Sequence, residues 1–255
     1  MKLAVTGKGG AGKTTIAAII IRELAARGLR VIAIDADPDA NLASALGFEN
    51  AASITPIAEM DRLIEERTGA KPGAAGSFFK INPQVDDLPD TLSIVQGNIR
   101  LMVMGTVKKG GGGCVCPESA LVKALVSHLV FQRGEALVMD MEAGIEHLGR
   151  GTAKAVDAVI VVMEPGMRSA ETAAKIRTLA ADLGIRRLAV VGNKVRGPED
   201  EAFIREHAAG MLLLGFIPRD ESLVEADLAG RPVPRCAAGT EIIDRLAALI
   251  KEEQS

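Results

Sequence analysis

The chain has no tryptophan or tyrosine, and only six of its 255 residues are phenylalanine. It therefore offers few flat faces on which unpaired bases could stack. Positive charge is not in excess either: 30 lysines and arginines face 33 aspartates and glutamates, for a formal charge of −3. That balance argues against a broad surface that neutralises phosphates along nucleic acid. No stretch approaches the roughly eighteen consecutive apolar residues of a membrane-spanning helix. Met1 leads straight into a short apolar run, without the layout of a secretory leader. These absences predict a cytoplasmic protein that partners neither nucleic acid nor membrane.

Cysteine is also scarce, at three residues. An odd, small number in a reducing compartment is poor material for a disulfide framework and better material for metal or redox chemistry. Two of the three, Cys114 and Cys116, stand one residue apart.

What is present is ordinary for a packed domain: 48% of residues are apolar and 25% charged. Short apolar runs alternate with amphipathic stretches. Strands are expected at Leu3–Thr6, Arg30–Asp35, Ala136–Asp140, Ala158–Met163, Arg187–Asn193 and Met211–Ile217. Helices are expected at Thr14–Arg27, Glu118–Val130, Ser169–Leu183, Asp200–Ala208, Ser222–Ala229 and Glu241–Lys251. The alternation predicts one α/β domain over residues 1–255, with a mostly parallel central sheet flanked by helices in three layers. Its ligand is expected at the carboxyl edge of the strands. Residues 51–98 break the pattern and read as an insertion with a helix at Pro56–Arg67. Residues 108–117, two lysines and four consecutive glycines leading into the Cys-x-Cys pair, read as a loop.

Gly7-Lys8-Gly9-Gly10-Ala11-Gly12-Lys13-Thr14 fits G-x-x-x-x-G-K-[ST] between an expected strand and an expected helix, the setting of a phosphate loop. Backbone N–H groups of Gly9, Gly10, Ala11 and Gly12 would surround the phosphates at the positive end of the helix. Lys13 would add a point charge, Thr14 a hydroxyl for Mg²⁺, and Thr15 a contact to the α-phosphate. The basic loop does not require Lys8. With it the segment resembles the deviant Walker A ATPases of the MinD, ParA and nitrogenase iron-protein group. That resemblance implies a P-loop fold that binds ATP and ADP, and a Lys8 that reaches across a homodimer to the partner's phosphates, as an arginine finger does.

Asp35-Ala36-Asp37-Pro38-Asp39 ends the second expected strand and puts carboxylates in a loop at the phosphate edge. The resemblance makes Asp39 the residue that orients the attacking water and Asp37 a support for the metal shell or the loop. Asp140, closing the apolar run Leu137-Val138-Met139, is the expected holder of a Mg²⁺-bound water. Gly144 is placed to bring an N–H to the γ-phosphate. In the resembling family, loops equivalent to Asn193-Lys194 and to the one around Pro218 read the base, with Asn193 pairing to adenine.

In extended backbone Cys114 and Cys116 project to one side. Pro117 favours that conformation in Cys116 and suits the first position of the following helix. The helix start and nearby Lys108 and Lys109 favour the thiolates that soft metals bind. Two thiolates are half of a four-ligand site, so the same pair from a second chain across a two-fold axis would complete it. His147 is a weaker candidate ligand. KGGAGKT, DADPD, KKGG followed by CVCPES, and DMEAGIEHLGRGTAKAVD together resemble the CooC-type ATPases that mature nickel-containing carbon monoxide dehydrogenase. This resemblance covers nearly the whole chain. It implies ATP-dependent dimerisation, binding of Ni²⁺ or Zn²⁺ by paired Cys-x-Cys motifs, and delivery of nickel to an iron–sulfur client enzyme. One residue departs from that pattern: Glu142 stands where the family has glycine, beside the expected γ-phosphate sensor.

Two other functions draw on the same features. The first is an iron-protein-like reductase with a bridging [4Fe–4S] cluster, although that protein's cysteines are far apart in sequence and these are nearly adjacent. The second is a MinD- or ParA-like positioning ATPase. Against its membrane-binding form, Thr240–Ser255 sets Glu241, Asp244, Glu252 and Glu253 against Arg245 and Lys251 instead of presenting a basic face.

Overall fold

The computed structural model describes residues 1–37, 39–72, 78–105, 116–131, 135–145 and 155–251. Its centre is an eight-stranded sheet in the order β3-β4-β2-β5-β1-β6-β7-β8. The strands are β1 (Lys2–Gly7), β2 (Val31–Ala36), β3 (Ile94–Gln96), β4 (Ile99–Val103), β5 (Ala136–Met141), β6 (Ala158–Met163), β7 (Leu188–Val195) and β8 (Leu212–Pro218). All neighbours run parallel except the β3–β4 hairpin at one edge. The central strands β5 and β6 are buried from end to end. Covered on both faces, they read as continuous apolar runs and not as alternation.

Side-chain alternation divides the core into two layers. Leu3, Val5, Ile160 and Val162 face one side, where they pack with α1 (Lys13–Ala26), α2 (Leu42–Leu46) and α9 (Ala237–Lys251). Ala4, Ile34, Val159 and Val161 face the other, against α3 (Asp61–Thr68), α5 (Pro117–Phe131), α6 (Met167–Leu183) and α7 (Pro198–His207). Two further helices, α4 (Leu88–Leu92) and α8 (Glu221–Leu228), complete the described set. The three-layer, mostly parallel α/β architecture is the one expected from the sequence. Among the described residues no helix is long and apolar enough to cross a membrane.

The helix expected at Pro56–Arg67 is divided. Ile57–Glu59 forms a 3₁₀ turn and α3 starts only at Asp61. Met60, at φ −85° and ψ 74°, leaves helical geometry between them, while the Ala58 N–H donates to the Met104 carbonyl just past β4 (2.9 Å) and docks the 3₁₀ turn there. Gly105 permits this docking, since a Cβ there would lie 2.4 Å from Pro56 Cβ. Strands β3 and β4 had no counterpart in the sequence reading. Their hairpin turn, Gly97-Asn98, falls where residues 51–98 were expected to end.

Candidate active site

The site is built on the carboxyl ends of β1, β2, β5, β6 and β7. Strand β1 ends at Gly7, whose φ of 151° and close fit against β6 exclude a side chain: a Cβ would lie 2.5 Å from the Val162 carbonyl oxygen. The chain then turns through Lys8–Gly12, with the Ala11 N–H donating to the Lys8 carbonyl (3.0 Å). Gly12 is left-handed (φ 92°), and α1 begins at the next residue without a side-chain cap or an acidic residue in its first turn. A helix start of that kind leaves its N–H groups and positive dipole end for an anion. Lys13 is buried at this point, 3.5 Å from the Asp37 carboxylate.

Two carboxylates sit side by side beneath the loop. Asp35 of β2 and Asp140 of β5 are in register and fully buried. Asp35 closes the strand expected at Arg30–Asp35 and lies within β2. It is the strand's last buried residue and accepts from the Leu42 N–H (2.9 Å) and the Asp37 N–H (3.2 Å). It thereby fastens Asp37 and Leu42 to the end of β2. Burial pushes its carboxyl up to about 6, against the pull of those two hydrogen bonds. Burial pushes Asp140 further, to about 7. The Thr14 hydroxyl and Lys13 draw it down, while Asp35 and Asp37 raise it. Nevertheless, neither Asp140 oxygen has a hydrogen-bond partner within normal geometry among the described residues. A buried carboxylate with both oxygens unmatched, beside a threonine hydroxyl, suits a hard divalent cation such as Mg²⁺.

The remaining expected residues surround the loop. The fully buried Thr6 hydroxyl shares its proton between the carbonyls of Glu142 (3.0 Å) and Gly144 (2.8 Å) and accepts from the Gly144 N–H (3.1 Å). In this conformation the Gly144 N–H is turned to Thr6. Asn193 is buried, and its Nδ2 donates to the Ala11 carbonyl (2.8 Å), so its amide nitrogen is engaged by the phosphate loop. Gly12 makes room for it, since a Cβ there would lie 2.2 Å from that nitrogen. Lys194 follows at a β-bulge with φ of 57°, an uncommon value for a non-glycine residue. Its ammonium donates to the Gly10 carbonyl (2.6 Å) and pairs with Glu164 (3.3 Å), which also holds Lys8 at 2.8 Å.

A cleft of about 730 Å³ opens over these groups. Of the expected residues, Gly10, Gly12, Lys13, Thr14, Thr15, Asp37, Asp39, Asn193, Lys194 and Pro218 line it. Lys8, Gly9 and Ala11 are in the loop below, and Asp140 and Gly144 lie buried behind it. Sequence reasoning did not single out Glu164, Pro165, Arg196 or the α8 residues Leu223, Val224 and Asp227 as lining. Only the strand-end position of Glu164 could have drawn notice. Cys116 directly precedes α5, its carbonyl accepting from the Ala120 N–H (3.0 Å). Cys114, Lys108, Lys109, His147 and Pro38 lie outside the described residues, among which no three His, Cys, Asp or Glu side chains gather as a metal site. Cys236 packs against the core beside Gly239, in line with a structural role.

This arrangement has relatives. The family model described as the CobQ/CobB/MinD/ParA nucleotide binding domain matches residues 2–233. The carbon monoxide dehydrogenase accessory protein CooC of Rhodospirillum rubrum is 51% identical, over 90% of this chain and 88% of its own. An uncharacterised ATP-binding protein of Methanocaldococcus jannaschii is 46% identical over 96% of both chains. Among solved structures, MinD of Pyrococcus horikoshii in complex with Mg-ADP superposes with a TM-score of 0.66 at 20% identity, covering 97% of each chain, which speaks for the fold. With a phosphate loop, an uncapped helix start and paired strand-end aspartates at one edge of its sheet, the chain belongs to the CobQ/CobB/MinD/ParA nucleotide-binding family and is an ATPase.

Proposed function

We propose that the protein is an ATP-driven metallochaperone that dimerises on ATP and inserts nickel into a carbon monoxide dehydrogenase-type iron–sulfur enzyme. The observation that carries this reading is the Cys114-x-Cys116 pair in a chain half identical to a carbon monoxide dehydrogenase accessory protein. Loop N–H groups and Lys13 bind the β- and γ-phosphates. Thr14 and Asp140 would hold Mg²⁺, which neutralises phosphate charge when bound. Asp39 orients the attacking water, and Asp37, now paired with Lys13, exchanges that lysine to the nucleotide. Lys8 crosses to the partner's phosphates. Asn193 and Lys194 brace the phosphate loop from the wall of the cleft, and the Pro218 turn lies against the base.

Each protomer supplies two thiolates, so the metal site is complete only in the dimer. Nickel is cargo, captured or released as the nucleotide state changes the distance between the two pairs. ATP drives this only as far as it binds the closed dimer better than ADP does.

The test is metal-resolved mass spectrometry of anaerobically prepared protein, with and without ATP. One Ni²⁺ or Zn²⁺ per two chains is expected, and none in the Cys114→Ser/Cys116→Ser variant, which keeps ATP binding. The loaded protein should also restore activity to nickel-deficient carbon monoxide dehydrogenase when ATP is present. Metal retained by the double variant would overturn the Cys₄ site. A brown iron–sulfur cluster shared by two chains would replace the chaperone with the reductase.

A further inference from the structure

Glu164 has no place in nucleotide chemistry as described, yet it organises the cations around the phosphate loop. One carboxylate oxygen holds Lys8 (2.8 Å) and the other Lys194 (3.3 Å). Lys194 in turn donates to the Gly10 carbonyl (2.6 Å), from a left-handed backbone that few non-glycine residues adopt. Glu164 is itself fixed in three ways. It directly follows β6, Pro165 restricts its backbone to extended values, and its N–H donates to the hydroxyl of buried Ser169 in α6 (3.2 Å). Burial alone would raise its carboxyl, but the hydrogen bonds and charges of Lys8 and Lys194 hold it below the ordinary value.

We propose that Glu164 is a positioning residue that latches Lys8 within its own protomer, so that dimer closure requires a γ-phosphate on the partner to take the lysine from it. The proposal rests on the trans role of Lys8 given above. Lys8 cannot hold its own Glu164 and reach a second chain at once, so each protomer gives up one latch on closure. The exchange is inexpensive, because Lys194 still neutralises the carboxylate after Lys8 leaves. It is also selective: a γ-phosphate offers the lysine more negative charge than the single carboxylate, whereas ADP lacks that group. ADP-bound chains therefore keep their latches closed.

Lys8 and Glu164 are 32% and 22% exposed, which makes this a near-surface pair. Such a pair is worth about threefold in an equilibrium, and releasing two in a symmetric dimer about tenfold. The experiment is sedimentation velocity with Mg²⁺ and either a non-hydrolysable ATP analogue or ADP, without transition metal. It compares the wild type with Glu164→Gln, Lys8→Ala and the double variant. Glu164→Gln should tighten the ATP-analogue dimer roughly tenfold, leave association with ADP unchanged, and have no effect in the Lys8→Ala background. A Glu164→Gln dimer no tighter than wild type overturns the latch, as does equal tightening without Lys8. If Lys8→Ala retains wild-type ATP-analogue dimers, the trans role itself falls and the latch with it, an outcome visible without any Glu164 variant. Should Glu164→Gln melt well below the wild type, Glu164→Asp replaces it. The shorter carboxylate loosens the grip on Lys8 and should give a smaller tightening, again only with the ATP analogue and only when Lys8 is present; no tightening there overturns the latch.

Discussion

Replacing Asp140 by asparagine should stabilise the nucleotide-free protein as pH rises. The Asp140 carboxyl is pushed from an ordinary 3.8 up to about 7 by burial. A raised carboxyl binds more protons in the folded chain than in the unfolded one between those two values. Folded-state stability is therefore lost as pH rises through that window, and the loss levels off above pH 7. At 1.36 kcal/mol per unit, the cost to the wild type grows by about 2.5 kcal/mol between pH 5 and pH 8. Asparagine fills the same space without charge. Its buried amide carries a penalty of about 1–3 kcal/mol, but that penalty does not change with pH. Asp35, pushed up to about 6, titrates in both proteins and largely cancels, apart from a small easing once its charged neighbour is gone.

The gap in stability between variant and wild type should thus widen in the variant's favour by about 2.5 kcal/mol from pH 5 to pH 8. For a chain of this size that is roughly 5–10 °C in melting temperature. Circular-dichroism melts in chelator, without nucleotide, at the two pH values measure it directly. Adding Mg²⁺ to ATP-bound protein should raise the wild-type midpoint further than the variant's, because Asp140 helps hold the cation while the loop and Lys13 still bind the phosphates in both. A gap of the same size at pH 5 and pH 8 would refute the claim that Asp140 is held as a costly buried carboxylate awaiting a cation.

Asn193→Ala removes the hydrogen bond to the Ala11 carbonyl and should cost about 1–3 kcal/mol in stability. By titration calorimetry, affinity for ATP and GTP should fall together; loss of ATP affinity alone would place the amide at the base instead of the loop. Thr6→Val keeps the shape of a fully buried side chain but strands the Gly144 N–H, and should lower the urea midpoint by a similar energy. An unchanged midpoint would mean that the turn after β5 does not depend on Thr6.

The fold was legible where local pattern and tertiary structure agree. Continuous apolar runs marked β5 and β6 because both faces of an inner parallel strand are covered. The hairpin β3–β4 escaped notice because β3 is only three residues long, Ile94–Gln96, and Arg100 interrupts the apolar run of β4. The helix over Pro56–Arg67 failed for the opposite reason. Its local pattern was helical, but its first turn docks on the Met104 carbonyl beyond β4 and Met60 leaves helical geometry before α3 starts. Propensity cannot anticipate a docking contact that comes from another strand.

The site divides along the same line. Gly12, Lys13 and Thr14 announce themselves because one short loop must carry all the groups that touch phosphate. Asp140 does so because a strand must end in a carboxylate to reach the same edge. The residues that hold the loop in shape send no signal of that role, and even Asn193 stood out only as a base contact. Asn193 meets Ala11 across 182 positions, and Glu164 meets Lys8 across 156. Each is an ordinary polar residue at the end of an apolar strand, and only the sheet order β1-β6-β7 brings it to the loop. The parallel register that places the strand ends on one edge is thus what turns a glycine-rich turn into a constrained phosphate site. It also explains why the contacts to Lys8 come from β6, its immediate neighbour in the sheet: the strand that flanks the loop is the one able to restrain its extra lysine.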